Sequence, residues 1–328
     1  MPNSISTLVC GLILFTLPIC QNARGADAPS DSTAKPAYTA LPADVSAGAT
    51  TRPVVQVGPI SDELRSAYHL DPFYKKTASI DGIVIIASDK VSDYALLECA
   101  WTLDHMLNGR TMAKEALVKA KVRVGILAVT EYTMDIPENK RMGNGAYNDR
   151  RSRGLGGLPL ATCAEENLLN LRHDPYNAEN ITIHEFSHTV ASAIRRMHPE
   201  WYTKLKDAYA QAMKAGLYAK SYAATNEQEY WAEGAQSWFD CASAHNDGGN
   251  STRAQLKAYD PALAALLAEV YGDGEWRYFK TTSPKRPAGD RAHLAGFERS
   301  TMPAFDFNNS PRIRALAEKP AGETSQKK

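Results

Sequence analysis

The chain has 328 residues, 44% of them hydrophobic and 23% charged, the composition of a globular protein long enough for one large or two medium domains. Lys plus Arg and Asp plus Glu each total 37, so there is none of the basic excess that draws a chain to nucleic acid or to an anionic membrane. A partner must be recognised by a local site.

In chain order, residues 8–19 form an apolar run too short to span a bilayer comfortably, followed by Ala23 and Gly25 as small residues before a cleavage point. Residues 1–25 therefore read as a signal peptide, although the segment before the run has no Lys or Arg, and this predicts a secreted or periplasmic protein. Cys20 invites a lipoprotein reading, but the bulky Ile19 before it argues against one. Residues 26–52 are rich in Ala, Pro, Ser and Thr without periodicity, as a flexible linker is. The folded domain is expected over 53–312, with a disordered tail over 313–328.

Within that domain, residues 83–87 read as a short apolar strand. Leu96, Ala100, Leu103 and Leu107 then recur at helical spacing, Gly109 ends the helix, and residues 122–129 read as a second strand. This is a β-α-β unit. Residues 139–157 are dense in Gly and Arg and read as a mobile solvated loop in preference to a flap that reads substrate charge. No internal repeat is present. With Cys10 and Cys20 leaving in the signal peptide, Cys99, Cys163 and Cys241 remain, an odd number for an oxidising compartment. The simplest count is one disulfide and one thiol. Cys99 lies beside an apolar helix face and reads as a buried thiol, which makes Cys163 with Cys241 the first pair to try, although the sequence leaves the connectivity open.

The stretch "ITIHEFSHTV" at 181–190 carries the chemistry. Four residues advance a helix by about 400°, so His184 and His188 stand one above the other on one face. Asn177 is a candidate N-cap, and Ile183, Phe186, Val190 and Ile194 supply an apolar face. Two buried imidazoles need partners, and one zinc ion (Zn2+) satisfies both while leaving Glu185 beside an open coordination position. Ala191 and Ile194 stand where a metzincin has Gly and a third His, which excludes that family. Acidic candidates for a third ligand cluster in 221–240, where Asn226 can cap a helix. Glu229, Glu233, Gln236 and Asp240 share one face of it, and Trp231, Ala235 and Trp238 share another. Taken alone, that polar stripe reads as the solvated side of an amphipathic helix.

"HEFSH" with Glu229 41 residues after His188, inside "SYAATNEQEYWAEG", resembles the gluzincin peptidases related to anthrax-toxin lethal factor and the Pro-Pro endopeptidases. These share a Tyr seven residues before the zinc-binding Glu and an Ala-Glu shortly after it, matched here by Tyr222 and by Ala232-Glu233. The resemblance covers residues 181–240, and the preceding stretch from "RGLGGLPLATC" is similar to secreted bacterial and fungal proteins with the same zincin signature. It implies zinc on His184, His188 and Glu229, Glu185 as general base, Tyr222 at the oxyanion and Glu233 behind a zinc ligand. It implies an α+β zincin-like fold with a small N-terminal mixed sheet, an active-site helix and a mostly helical C-terminal lobe. Nothing in the chain resembles the toxin's receptor-binding or recognition domains, so no toxin role follows.

In such a site zinc lowers the pKa of a bound water from 15.7 toward about 7, and a Glu takes the remaining proton as the water attacks a carbonyl carbon. The expected partner is a peptide or protein substrate, and residues 167–171 ("NLLNL") are the segment placed to offer a sheet edge to it, or else an ordinary core strand. The expected function is a secreted zinc endopeptidase. A non-catalytic binding protein of zincin fold and a zinc hydrolase of a non-peptide amide, such as a cell-wall cross-link, are the alternatives; Glu185 argues against the first, since a binder needs no base.

Overall fold

The computed structural model describes residues 54–243 and 249–318. The expected signal peptide and linker lie outside them. Among the described residues no helix is long and apolar enough to cross a membrane.

The elements run β1 (Gly58–Pro59), α1 (Asp62–Tyr68), β2 (Lys76–Ile80), β3 (Ile83–Ala87), α2 (Asp93–Leu107), α3 (Thr111–Lys119), β4 (Arg123–Leu127), α4 (Gly145–Arg151), β5 (Leu160–Ala164) and α5 (Glu165–Leu168). They continue as α6 (Ile181–Met197), α7 (Pro199–Lys214), α8 (Glu227–Trp238), α9 (Arg253–Tyr259), α10 (Pro261–Tyr271) and α11 (Pro311–Ala317). The fold is thus α+β, with a mixed sheet followed by helices.

The five strands lie in the order β1-β2-β3-β4-β5, antiparallel from β1 to β3 and parallel from β3 to β5. The β-α-β expectation holds, with β3 at Ile83–Ala87 and β4 pairing parallel to it, Val84 opposite Arg123. β3 is an unbroken apolar run because both of its faces are covered. Ile83, Ile85 and Ala87 enter the main core, with α2, α3 and α6, whereas Val84 and Ile86 join Leu70 and Tyr74 on the opposite face. Burying each of these large side chains contributes roughly 1.5–3 kcal/mol.

Four expectations change here. Residues 167–171 are not a strand: α5 ends at Leu168, and the strand at this edge of the sheet is β5, just before it. The main-chain N–H and C=O of Thr162 on β5 are already paired with Leu155, so the chain itself takes up that edge at this residue. Residues 139–157 are not a solvated turn. They contain α4, and Asp149 and Arg153 are buried, Arg153 in a two-bond pair with Glu166 at 2.5 and 3.0 Å. A guanidinium can sit in a core when a carboxylate and carbonyls meet its N–H groups, and the carbonyls of Ala128 and Glu131 supply the remainder. Cys163 does not pair with Cys241; all three remaining cysteines are free and buried, and Cys163 neighbours Cys99 in the main core. The folded chain also continues past residue 312, because α11 extends to Ala317, buries Ile313 and ties Arg312 to Asp149 (2.6 Å) and Asp135 (2.7 Å).

The segment between α10 and α11 returns to the sheet lobe. Arg286 is buried against Glu98 of α2 through two hydrogen bonds of 2.8 and 2.9 Å, lies over the Trp101 ring, and shares Glu98 with His293.

Candidate metal centre

α6 carries the first two residues of the centre. Its N-cap is Asn180, whose side chain accepts the N–H of Ile183, and not Asn177 three residues earlier. Ile183, Phe186, Val190 and Ile194 are fully buried, which orients His184 and His188 toward α8. α8 is capped by Asn226 as its sequence predicts, the side chain accepting from the N–H groups of Gln228 and Glu229. Asp240 does not share its polar face. It lies beyond the helix end with φ 58° and accepts the Arg253 N–H at the start of α9. The two helices are fixed in register by the Trp231 indole, which donates to the mid-helix carbonyl of Ser187 at 3.0 Å, while the Tyr271 hydroxyl and the Ser187 hydroxyl lie 2.9 Å apart. The polar stripe of α8 is therefore interior, and Glu233 and Gln236 are buried.

This packing brings together His184, His188 and Glu229, with one nitrogen or oxygen from each inside a 4.8 Å span. Glu229 Oε2 is 3.2 Å from His184 Nε2 and 3.3 Å from His188 Nε2. It lies close to both rings, yet it is buried and accepts a well-aligned hydrogen bond from neither. Two imidazole nitrogens and a carboxylate oxygen that converge without a proper hydrogen bond fit a cation at their centre, since a metal ion needs lone pairs aimed at one point and no shared proton. The three residues can hold a metal ion.

The surroundings are acidic. Burial works to lower the His184 pKa, but the carboxylates of Glu229 and Glu233 on either side of its ring outweigh it and raise the pKa well above the ordinary value. Burial likewise opposes ionisation of Glu229, yet both histidines hold its pKa below the usual carboxylate range. Burial raises Glu185, against the pull of His184 and His188. The Tyr222 hydroxyl is raised by burial and by the neighbouring charge of Glu229, although the residue as a whole remains 39% exposed. Tyr222 and Glu185 thus flank the triad from different elements.

Glu233 faces the other side of the histidine, with Oε1 3.3 Å from His184 Nδ1. It holds the ring and does not compete with Glu229 for the converging position. Sequence reasoning placed Gln236 on the same helix face without giving it a task. Its Oε1 lies 3.2 Å from the same Nδ1, and its Nε2 donates to Glu179 and to the Asn180 carbonyl. An amide anchored in this way presents its oxygen to the ring, so Nδ1 carries the hydrogen and Nε2 keeps the lone pair. The i, i+3 spacing from Glu233 was the signal available.

The chain from 154 to 157 lies on α6 beside the triad. A Cβ on Gly156 would stand 2.4 Å from the Glu185 carbonyl and 2.6 Å from the His188 Cβ, so only glycine permits this approach. Gly157 N–H donates to the Thr189 hydroxyl at 3.0 Å. This second group of positioning residues was concealed in a stretch that reads as loop. Compared with models of known protein families and with curated proteins, the chain matches none.

Proposed function

We propose that this chain is a secreted or periplasmic zinc-dependent endopeptidase of zincin type, with His184, His188 and Glu229 as metal ligands. The observation that carries the reading is the convergence of those three ligand atoms next to a partly buried Glu185 with a raised pKa. A carboxylate in that state is a better proton acceptor than an exposed one.

Zinc held by the triad would supply Lewis acidity and acidify a water. Glu185 takes the proton of the attacking water and delivers it to the departing amine. Tyr222, whose hydroxyl stays protonated at neutral pH, donates to the carbonyl oxygen as negative charge gathers there. Glu233 and Gln236 orient His184 from behind.

The test is Glu185→Gln, which keeps shape and removes the base. Hydrolysis of an unstructured protein should fall by roughly 100-fold or more while bound zinc stays stoichiometric. Undiminished hydrolysis would end this mechanism. Wild-type protein that binds peptides and cleaves none would instead make the chain a binding protein, and cleavage confined to cell-wall amides would redefine the substrate.

A further inference from the structure

Glu185 is held in place by packing and not by a polar partner. It is partly buried on α6, and its carboxylate makes no hydrogen bond and no ion pair with any described residue. A Glu side chain left to itself samples several rotamers, yet a proton acceptor must stand within hydrogen-bond reach of the water it serves. A neighbour has to narrow that choice.

The main chain at Gly154 is that neighbour. A Cβ added to Gly154 would stand 2.9 Å from Glu185 Cγ, 2.8 Å from the Thr162 carbonyl oxygen and 2.7 Å from Ile181 Cγ2. Backbone therefore walls one side of Glu185 at a distance that only glycine allows. The wall is fixed at three points. Before it, Arg153 is buried in its pair with Glu166. Next to it, Leu155 exchanges two main-chain hydrogen bonds with Thr162 of β5, at 3.3 and 2.8 Å. Two residues further, the Thr189 hydroxyl of α6 accepts the Gly157 N–H at 3.0 Å and lies 3.1 Å from the Gly157 carbonyl oxygen. The same hydroxyl is 3.2 Å from the Glu185 carbonyl oxygen. Thr189 is fully buried. It stands four residues after Glu185, so the tie and the side chain that it helps to confine lie on one face of the helix.

We propose that Gly154 and Thr189 are positioning residues for Glu185: Gly154 walls in the side chain of the base, and Thr189 holds that wall on α6. Both act through Glu185 and not on the substrate. This rests on the peptidase reading given above, in which Glu185 is the base.

Three variants and one double variant test it on zinc-loaded protein. Thr189→Val keeps the branched shape and loses the hydroxyl, whereas Thr189→Ser keeps the hydroxyl. Thr182→Val removes from the same helix a buried hydroxyl that has no hydrogen-bond partner. Thr189→Val should lower kcat by roughly 10- to 100-fold, the scale of a small misplacement of a catalytic group, with KM and zinc content unchanged. Thr189→Ser should recover most of kcat, and Thr182→Val should match wild type. In a Glu185→Gln background the effect of Thr189→Val should disappear, because no base is left to misplace. Gly154→Ala directs a methyl group at Glu185 and should show the same loss of kcat at full zinc content.

Hydrogen exchange read by mass spectrometry follows the tie without any substrate, and peptides that contain 154–157 should exchange faster in Thr189→Val than in wild type. An unchanged kcat in Thr189→Val, an equal loss in the Glu185→Gln background, or unchanged exchange at 154–157 overturns the proposal and leaves the peptidase reading in place. Wild type that cleaves no peptide overturns the peptidase reading and this role with it, so wild-type activity tells the two failures apart.

Discussion

The Nε2 atoms of His184 and His188 lie 3.2 Å apart, one helical turn from each other, with Glu229 Oε2 about equally distant from both. A hydrogen bond between the two rings would need one of them to give up its lone pair at that position. A metal ion removes that conflict, which makes the triad a unit and not three separate residues.

Glu229→Ala should therefore lower metal occupancy sharply. Glu227→Ala, at a residue whose carboxylate accepts from the Tyr202 hydroxyl at 3.1 Å, should leave it unchanged. Elemental analysis of dialysed variants decides this. Full zinc content in Glu229→Ala would mean that the third ligand is another residue.

Gln236→Leu removes the neutral acceptor behind His184 and keeps Glu233. Zinc affinity should fall by roughly 10- to 100-fold, in the range of other groups that hold ligating histidines. Competition with a chromophoric chelator measures it. An unchanged affinity would assign the orientation of His184 to Glu233 alone.

Tyr222→Phe keeps the ring and loses the donor. If the hydroxyl acts on developing oxyanion charge, kcat drops by roughly 10- to 1000-fold with little change in KM or zinc content. Tyr147→Phe, at a similarly exposed surface position, is the control. Matching kcat values for the two variants would make Tyr222 a packing residue.

Glu165 predicts a pH dependence of stability that is separate from the metal centre. Burial raises its carboxyl to about 7, in spite of N–H donors from Ser92 and Val129. The folded chain thus binds this proton more tightly than the unfolded chain. The stabilisation is fully present below the ordinary Glu pKa of 4.5 and is lost as pH rises through about 7. Urea unfolding with saturating zinc should show wild type losing more stability than Glu165→Gln between about pH 5 and pH 8, by an amount on the order of a few kcal/mol. Parallel pH profiles would contradict this.

Helices α6 and α8 were legible because each pairs a cap with an apolar periodicity, and Ile183, Phe186, Trp231 and Trp238 are buried as that pattern requires. The cap of α6 was misplaced by one turn because Asn177 and Asn180 are the same residue type, and only the geometry distinguishes them. β5 was missed because Leu160–Ala164 is made mostly of small residues with little strand character, while the Leu-rich stretch after it imitated a strand. The 139–157 stretch misled for a different reason. Charge composition indicates solvent only when the charges are unpaired, and the partners of Arg153 and Asp149 lie in Glu166 and Arg312. Contacts between segments, including that of Cys99 with Cys163, leave no local trace in the sequence.

The pairing of Glu98 with Arg286 has a consequence for the order in which the molecule can be assembled. Glu98 sits in the first β-α-β unit, yet its cation arrives 188 residues later, after every residue of the metal centre has been made. Until then a carboxylate in the middle of the early core has no counter-charge, and an unpaired charge in such a place is strongly destabilising. A chain that stops short of Arg286 leaves Glu98 without that partner, so the sheet lobe draws part of its stability from a segment made after the helices that bear the three converging residues.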